Sequence, residues 1–179
     1  MRCFFGLDLD AKTKLAVDNW RQKALPHFEH PVPAANFHVT SIFLGQIDDG
    51  QMDDLCRALE ECSFDPFSLT LDQLGYWSKP KILWLGCNDI PAQATELAES
   101  LTLISKQCGI QVQERKYVPH VTLVRKVTGE TPAPLFQPDI NCHFDTLHLF
   151  ESVSSKHGVH YASRAQWPLF RFRSPANRR

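Results

Sequence analysis

Phe37-His38-Val39-Thr40-Ser41-Ile42-Phe43-Leu44-Gly45 and Val118-Pro119-His120-Val121-Thr122-Leu123-Val124-Arg125 are the two stretches on which the reading of this chain turns. Each is a short apolar run rich in β-branched residues, the composition of a strand. Each carries a histidine and a threonine two residues apart. Side chains alternate faces along a strand, so His38, Thr40, Ile42 and Leu44 are expected on one face and Val39, Ser41 and Phe43 on the other. His120, Thr122 and Val124 repeat the arrangement.

Working outward, both stretches are preceded by matching elements. Arg2 to Leu9 reads as a buried strand, and Ala11 to about Phe28 as a helix carrying Val17, Trp20, Ala24 and Phe28 at helical spacing. In the second half Lys81 to Leu85 reads as a strand, and Asp89 and Pro91 open a helix with Leu97, Leu101, Ile104 and Cys108 on one face. Strand, helix and His-Val-Thr strand therefore occur twice. A further echo sets Phe64-Asp65-Pro66-Phe67-Ser68-Leu69 against Phe144-Asp145-Thr146-Leu147-His148-Leu149 at an offset of 80, beside the offset of 82 between the histidines. Met52, Leu55, Leu59 and Cys62 predict a short helix between the halves, and Phe67 to Trp77 a strand turning at Ser78-Lys79-Pro80. Val127 to Pro138 reads as a loop, and Cys142 to Ser152 with Val159 to Trp167 as a final hairpin.

The fold expected is α+β: two pseudo-twofold-related lobes, each a small antiparallel sheet backed by helices, with the active site in the cleft between them. Residues 1–179 are read as one bilobal domain with a basic tail from about residue 170.

Composition narrows the function classes. With 43% hydrophobic and 22% charged residues the chain falls in the range of a globular domain, and no apolar run is long enough to span a membrane. Six scattered cysteines without a CxxC pair argue for reduced thiols, and a cytoplasmic protein is expected. A net charge of −1 argues against coating long stretches of nucleic acid. Yet Lys156, Arg164, Arg171, Arg173, Arg178 and Arg179 follow Glu151 with no acidic residue among them, which favours an anionic substrate on one side.

A pseudo-twofold would bring two imidazoles and two hydroxyls to one spot. Attack at phosphorus needs one group to deprotonate the nucleophile and another to protonate the leaving oxygen, and two histidines with ordinary values near 6.5 supply both near neutral pH. Thr40 and Thr122 would donate hydrogen bonds to the non-bridging oxygens. There is no HExxH, no phosphate loop and no GxSxG, so zinc, nucleotide-loop and acyl-transfer chemistry drop out, and neither metal nor cofactor is expected. Phe43, Tyr76, Trp77 and Trp84 are candidates to stack on a base.

These motifs resemble the paired signatures of the two-histidine phosphoesterase superfamily. Arg2-Cys3-Phe4-Phe5-Gly6-Leu7-Asp8-Leu9 and Trp84-Leu85-Gly86 resemble its bacterial RNA 2′,3′-cyclic phosphodiesterase branch, long called 2′-5′ RNA ligase, and the similarity runs to about Pro168. The resemblance implies hydrolysis of 2′,3′-cyclic phosphate ends to 2′-phosphomonoesters, with reversible 2′-5′ ligation in some members. It implies as partners RNA ends or tRNA fragments bearing the cyclic phosphate and small cyclic nucleotides, with no membrane and no obligate protein partner. It places His38 and His120 at the catalytic positions, His38 as acid and His120 as base, with Thr40, Thr122 and Arg125 on the phosphate. Strict alternation would turn Arg125 away from His120, so its role requires the strand to end or bulge after Val124. Other cyclic or 2′-5′-linked nucleotides as substrates, or RNA-end binding without turnover, remain open alternatives.

Overall fold

The computed structural model describes residues 1–170, so the expected basic tail with Arg171, Arg173, Arg178 and Arg179 lies outside the described residues. Within them the elements run β1 (Arg2–Asp8), α1 (Ala11–Ala24), a single 3-10 turn (Ala34–Asn36), β2 (His38–Gln46), α2 (Asp49–Glu60), β3 (Phe67–Leu71) and β4 (Gln73–Trp77). The second half adds β5 (Ile82–Gly86), α3 (Ala92–Gln107), β6 (His120–Val124), β7 (Ile140–Phe144), β8 (Thr146–Ser155) and β9 (Gly158–Pro168). No helix among these residues is long and apolar enough to cross a membrane.

The fold is α+β, with antiparallel pairing throughout. Seven strands take the order β4-β5-β6-β2-β1-β8-β9, and β3 and β7 form a separate pair. The two halves of the large sheet meet only where β2 crosses β6, at the pair Val39 and Val121. About that pair the sheet repeats itself. Asp8, Leu7 and Gly6 of β1 face His38, Val39 and Thr40, while Gly86, Leu85 and Trp84 of β5 face His120, Val121 and Thr122. A register shift follows at the same place in each half, between Phe5 and Gly6 and between Leu83 and Trp84. β8 flanks β1 as β4 flanks β5, and β9 has no counterpart.

Burial follows from this arrangement. Val39, Leu7, Leu85 and Val121 are fully buried on the helix side, together with Leu55 of α2 and Leu101 of α3. Arg21 of α1 bolts the halves together: its Nη1 donates to the Val32 and Leu123 carbonyls, each at 2.7 Å, its Nη2 pairs with Asp18, and its guanidinium lies 5.0 Å from the Phe37 ring centre. Such a planar cation can satisfy two inward-turned carbonyls that a lysine would serve less well.

Three expectations change. α1 stops at Ala24, not near Phe28, because Leu25 precedes Pro26 and takes the extended conformation that a following proline imposes. The stretch 67–77 is two strands broken at Asp72, and Cys142 to Ser152 breaks at Asp145 in the same way, so that β3 and β7 leave the large sheet to pair with each other. The echo at offset 80 is therefore not a structural equivalence. Phe144 lies opposite Phe67 across the β3–β7 pair, and the topology matches β3 with β7 and β4 with β8. The final hairpin is β8–β9, turning at Ser155 to Gly158, where Gly158 takes φ 112°.

Candidate active site

The two His-Val-Thr runs lie antiparallel and side by side at the junction of the two half-sheets. With Val39 and Val121 turned into the core, the residues on either side of each valine turn to the opposite face. His38, Thr40, His120 and Thr122 thus meet on one surface.

Each imidazole is held by the same contact. Nδ1 of His38 hydrogen-bonds the Asn36 carbonyl at 2.8 Å, and Nδ1 of His120 the Val118 carbonyl at 2.8 Å. A carbonyl can only accept, so Nδ1 carries the proton and Nε2 is the bare nitrogen of each neutral ring. In His38, Nε2 lies 3.1 Å from the Thr40 hydroxyl. Burial pushes the His38 imidazole down to about 4; the Asn36 carbonyl works against this, while the charges of His120 and Arg125 add to it and Asp8 opposes it. His120 is lowered for the same first reason, opposed by the Val118 carbonyl and reinforced by Arg115 and Arg125. Both rings therefore favour the neutral form in the absence of a ligand, a departure from the unperturbed values assumed in the sequence. An anion placed between them would favour the protonated form of a ring and so oppose this shift.

Aromatic walls enclose each ring. Phe4 lies 4.9 Å from His38 and Tyr161 meets it edge-on at 4.7 Å. Trp77 meets His120 edge-on at 4.5 Å and rests against Trp84 at 4.8 Å. Of the stacking candidates, Trp77 thus reaches the site and Trp84 stands behind it, only 7% exposed. Tyr76 does not reach it: its side chain packs on the core side and its hydroxyl donates to the Val127 carbonyl at 3.4 Å.

Phe43 corrects the alternation expected for β2. Gly6 faces Thr40 but Phe5 faces Ile42, so a bulge at Ser41 reverses the order of faces beyond it. Ile42 enters the core and Phe43, half exposed, comes to the side of Phe4 and His38, with its ring centre 6.1 Å from that of Phe4. The Arg115 guanidinium lies 5.6 Å from the Phe43 ring centre. Arg125 meets the condition set for it: β6 ends at Val124, Arg125 N–H donates to the His30 carbonyl, and Lys126 takes φ 55°, so the chain leaves the strand there. Its charge acts on both imidazoles.

Sequence reasoning missed Phe4, Tyr161, Arg115, Asp8 and the two carbonyl partners. The carbonyls carry a readable signal, since each lies two residues before its histidine. Tyr161 carries none, being brought in by β9, three places from β2 in the sheet.

A duplicated His-x-Thr pair crossing on an antiparallel sheet defines a two-histidine phosphoesterase fold, and the chain belongs to the 2′-5′ RNA ligase superfamily, whose model matches residues 9–156. Among individual proteins it is similar to the RNA 2′,3′-cyclic phosphodiesterase of Escherichia coli (strain K12), 28% identical over 171 residues covering 94% of this chain and 96% of that protein. The Bacillus subtilis (strain 168) protein of the same name is 36% identical over 116 residues, covering 62% of this chain and 63% of its own. Among solved structures, E. coli LigT complexed with 3′-AMP superimposes with a TM-score of 0.88 at 28% identity, covering 95% of this chain and 98% of that one.

Proposed function

We propose that this protein is a metal-independent RNA 2′,3′-cyclic phosphodiesterase that opens the cyclic phosphate to a 2′-phosphomonoester. The observation that carries the reading is the antiparallel crossing at Val39 and Val121, which brings together two imidazoles whose Nδ1 atoms are each bound to a main-chain carbonyl, so that Nε2 is the nitrogen left for proton transfer on each ring. The superfamily match and the names of the relatives support the substrate class.

In this reading His120 takes a proton from water as its oxygen attacks phosphorus, and the bond from phosphorus to the ribose 3′ oxygen breaks. His38, protonated at Nε2, gives its proton to that departing oxygen. Thr40 and Thr122 donate to the non-bridging oxygens, and Arg125 offsets the charge that gathers there. Phe43 and Trp77 offer faces to a base without reading its edge, so recognition is of an RNA end and of small cyclic nucleotides more than of sequence. Both lobes act as one domain, because each contributes one histidine. With an RNA 5′-hydroxyl in place of water as nucleophile, the same forward steps would join ends through a 2′-5′ linkage as the bond to the 3′ oxygen breaks, which is the ligation in the superfamily's name.

Incubation with a nucleoside 2′,3′-cyclic phosphate in chelator tests activity, metal independence and regiochemistry together. The expected product is the 2′-monoester at undiminished rate. A 3′-monoester, or loss of activity in chelator, contradicts the mechanism. Cleavage of 2′-5′-linked dinucleotides alone would move the substrate class, and binding that stops at stoichiometry would make the site a receptor.

A further inference from the structure

The two histidines share a contact, but the carbonyls that make it are secured differently. Val118 lies in the irregular segment 110–119. Asn36 closes the 3-10 turn Ala34–Asn36, and its main-chain N–H donates to the Pro33 carbonyl at 2.8 Å. Its side chain is engaged as well: Nδ2 donates to the Val159 carbonyl at 2.7 Å. The neighbouring Ala35 carbonyl accepts from Lys14 Nζ at 3.0 Å, and Lys14 also pairs with Asp8 at 2.8 Å. Val159 stands near the start of β9, two residues from Tyr161, whose ring lies against His38. One residue therefore joins the hairpin to the imidazole, through its side chain on one side and its carbonyl on the other.

We infer that Asn36 is a positioning residue for His38: its side-chain amide, anchored on the Val159 carbonyl, fixes the main-chain carbonyl that holds Nδ1–H of the imidazole. The inference rests on the reading of His38 as a proton donor through Nε2. The Thr40 hydroxyl, 3.1 Å from Nε2, can accept as well as donate, so it would tolerate the other tautomer, with the proton on Nε2 and Nδ1 bare. The Asn36 carbonyl removes that choice, because opposite a bare Nδ1 it would face another acceptor. A carbonyl free to turn loses this control, and the ring turns with it. Outer contacts of this kind set the orientation and tautomer of a functional histidine.

Asn36→Ala and Asn36→Asp test the inference. The first removes the amide; the second keeps the size of the side chain and presents an acceptor to the Val159 carbonyl. Both are expected to lower kcat on a nucleoside 2′,3′-cyclic phosphate by about 10- to 100-fold, the scale for losing an outer contact, with KM held within about twofold. In Asn36→Ala the limb of the pH profile that belongs to His38 moves to lower pH, since the carbonyl favours the imidazolium. Nitrogen NMR of the ring is expected to show the Nε2–H tautomer gaining at His38 while His120 is unchanged. Full kcat in the folded variants overturns the inference, as does an unaltered His38 tautomer or an equal change at both histidines. A wild-type protein that fails to turn over the cyclic phosphate would sink the proposed activity, and the ring tautomers would still judge the role of Asn36.

Discussion

The His38 side and the His120 side of the cleft share their chemistry and differ in their walls. On each, an imidazole is anchored by the carbonyl two residues upstream and a threonine follows it along the strand. The strand beside them differs. Opposite Thr40 stands Gly6, over which the rings of Phe4 and Phe150 fold, and opposite Thr122 stands Trp84, whose indole fills the space above Gly75. At these matched positions a small residue and a large ring have changed places. Beyond the matched strands, β9 adds Tyr161 to the His38 side alone. A duplicated site that stayed symmetric would accept its substrate in either direction, so divergence of the walls is the feature that would give the two histidines distinct jobs under the proposed mechanism.

The largest effect that would break this comparison is removal of either ring. His38→Ala and His120→Ala are each expected to lower turnover of a nucleoside 2′,3′-cyclic phosphate by about 10² to 10⁴, the scale for losing general acid or base catalysis. The melting temperature should change little. Near wild-type turnover in either folded variant would mean that the halves do not cooperate.

Next in size is the exchange of small and large residues. A methyl group at residue 75 would lie 2.1 Å from the Trp84 ring, whereas one at residue 6 would lie 3.2 Å from Phe4 and from the Val39 carbonyl and 3.3 Å from Phe150. Overpacking against a rigid ring costs on the order of 1–3 kcal/mol, so denaturant unfolding should show Gly75→Ala losing that much and Gly6→Ala clearly less. Activity should fall with the first, since the displaced indole carries Trp77, which edges His120. Equal losses at the two glycines would show that the walls are not differentiated as described.

How far the sequence reveals these features depends on how local their causes are. The paired His-Val-Thr strands, the helices before them and the α+β class follow from residue type and spacing, because a strand fixes which neighbours share a face. The bulge at Ser41 does not: it is set by how β2 registers on β1, which lies more than thirty residues away, and missing it put Phe43 on the wrong face. The break at Asp72 left a trace that alternation could have exposed. Phe67, Leu69 and Leu71 are core residues at odd positions, while Leu74 and Tyr76 pack inward at even ones, and the same change of parity crosses Asp145 between Cys142 or Phe144 and Leu147 or Leu149. The low proton affinity of both histidines is a property of burial and neighbouring charge that no motif carries.

That low affinity sets the smallest of the expected effects. A general acid loses activity as pH rises through its own value, and a general base as pH falls through its own. Burial, Arg125 and the partner histidine hold the His38 imidazole near 4 in the free protein. The basic limb of kcat/KM, which reports the free protein, should therefore lie below the ordinary histidine range. Bound phosphate raises that affinity, so the basic limb of kcat should lie at higher pH. Superimposable limbs, with chemistry rate-limiting, would mean that the anion does not sit between the rings.

The division of labour between the two sides is tested most directly by a substrate whose 3′ leaving oxygen is replaced by sulfur, turned over by His38→Ala and His120→Ala. Sulfur leaves with little need of a proton, so a variant lacking only the acid recovers while one lacking the base does not. The structure read with His38 as acid and His120 as base predicts recovery of most of the lost rate in His38→Ala and none in His120→Ala. Recovery in His120→Ala alone would reverse the assignment, and equal behaviour of the two variants would contradict distinct roles altogether.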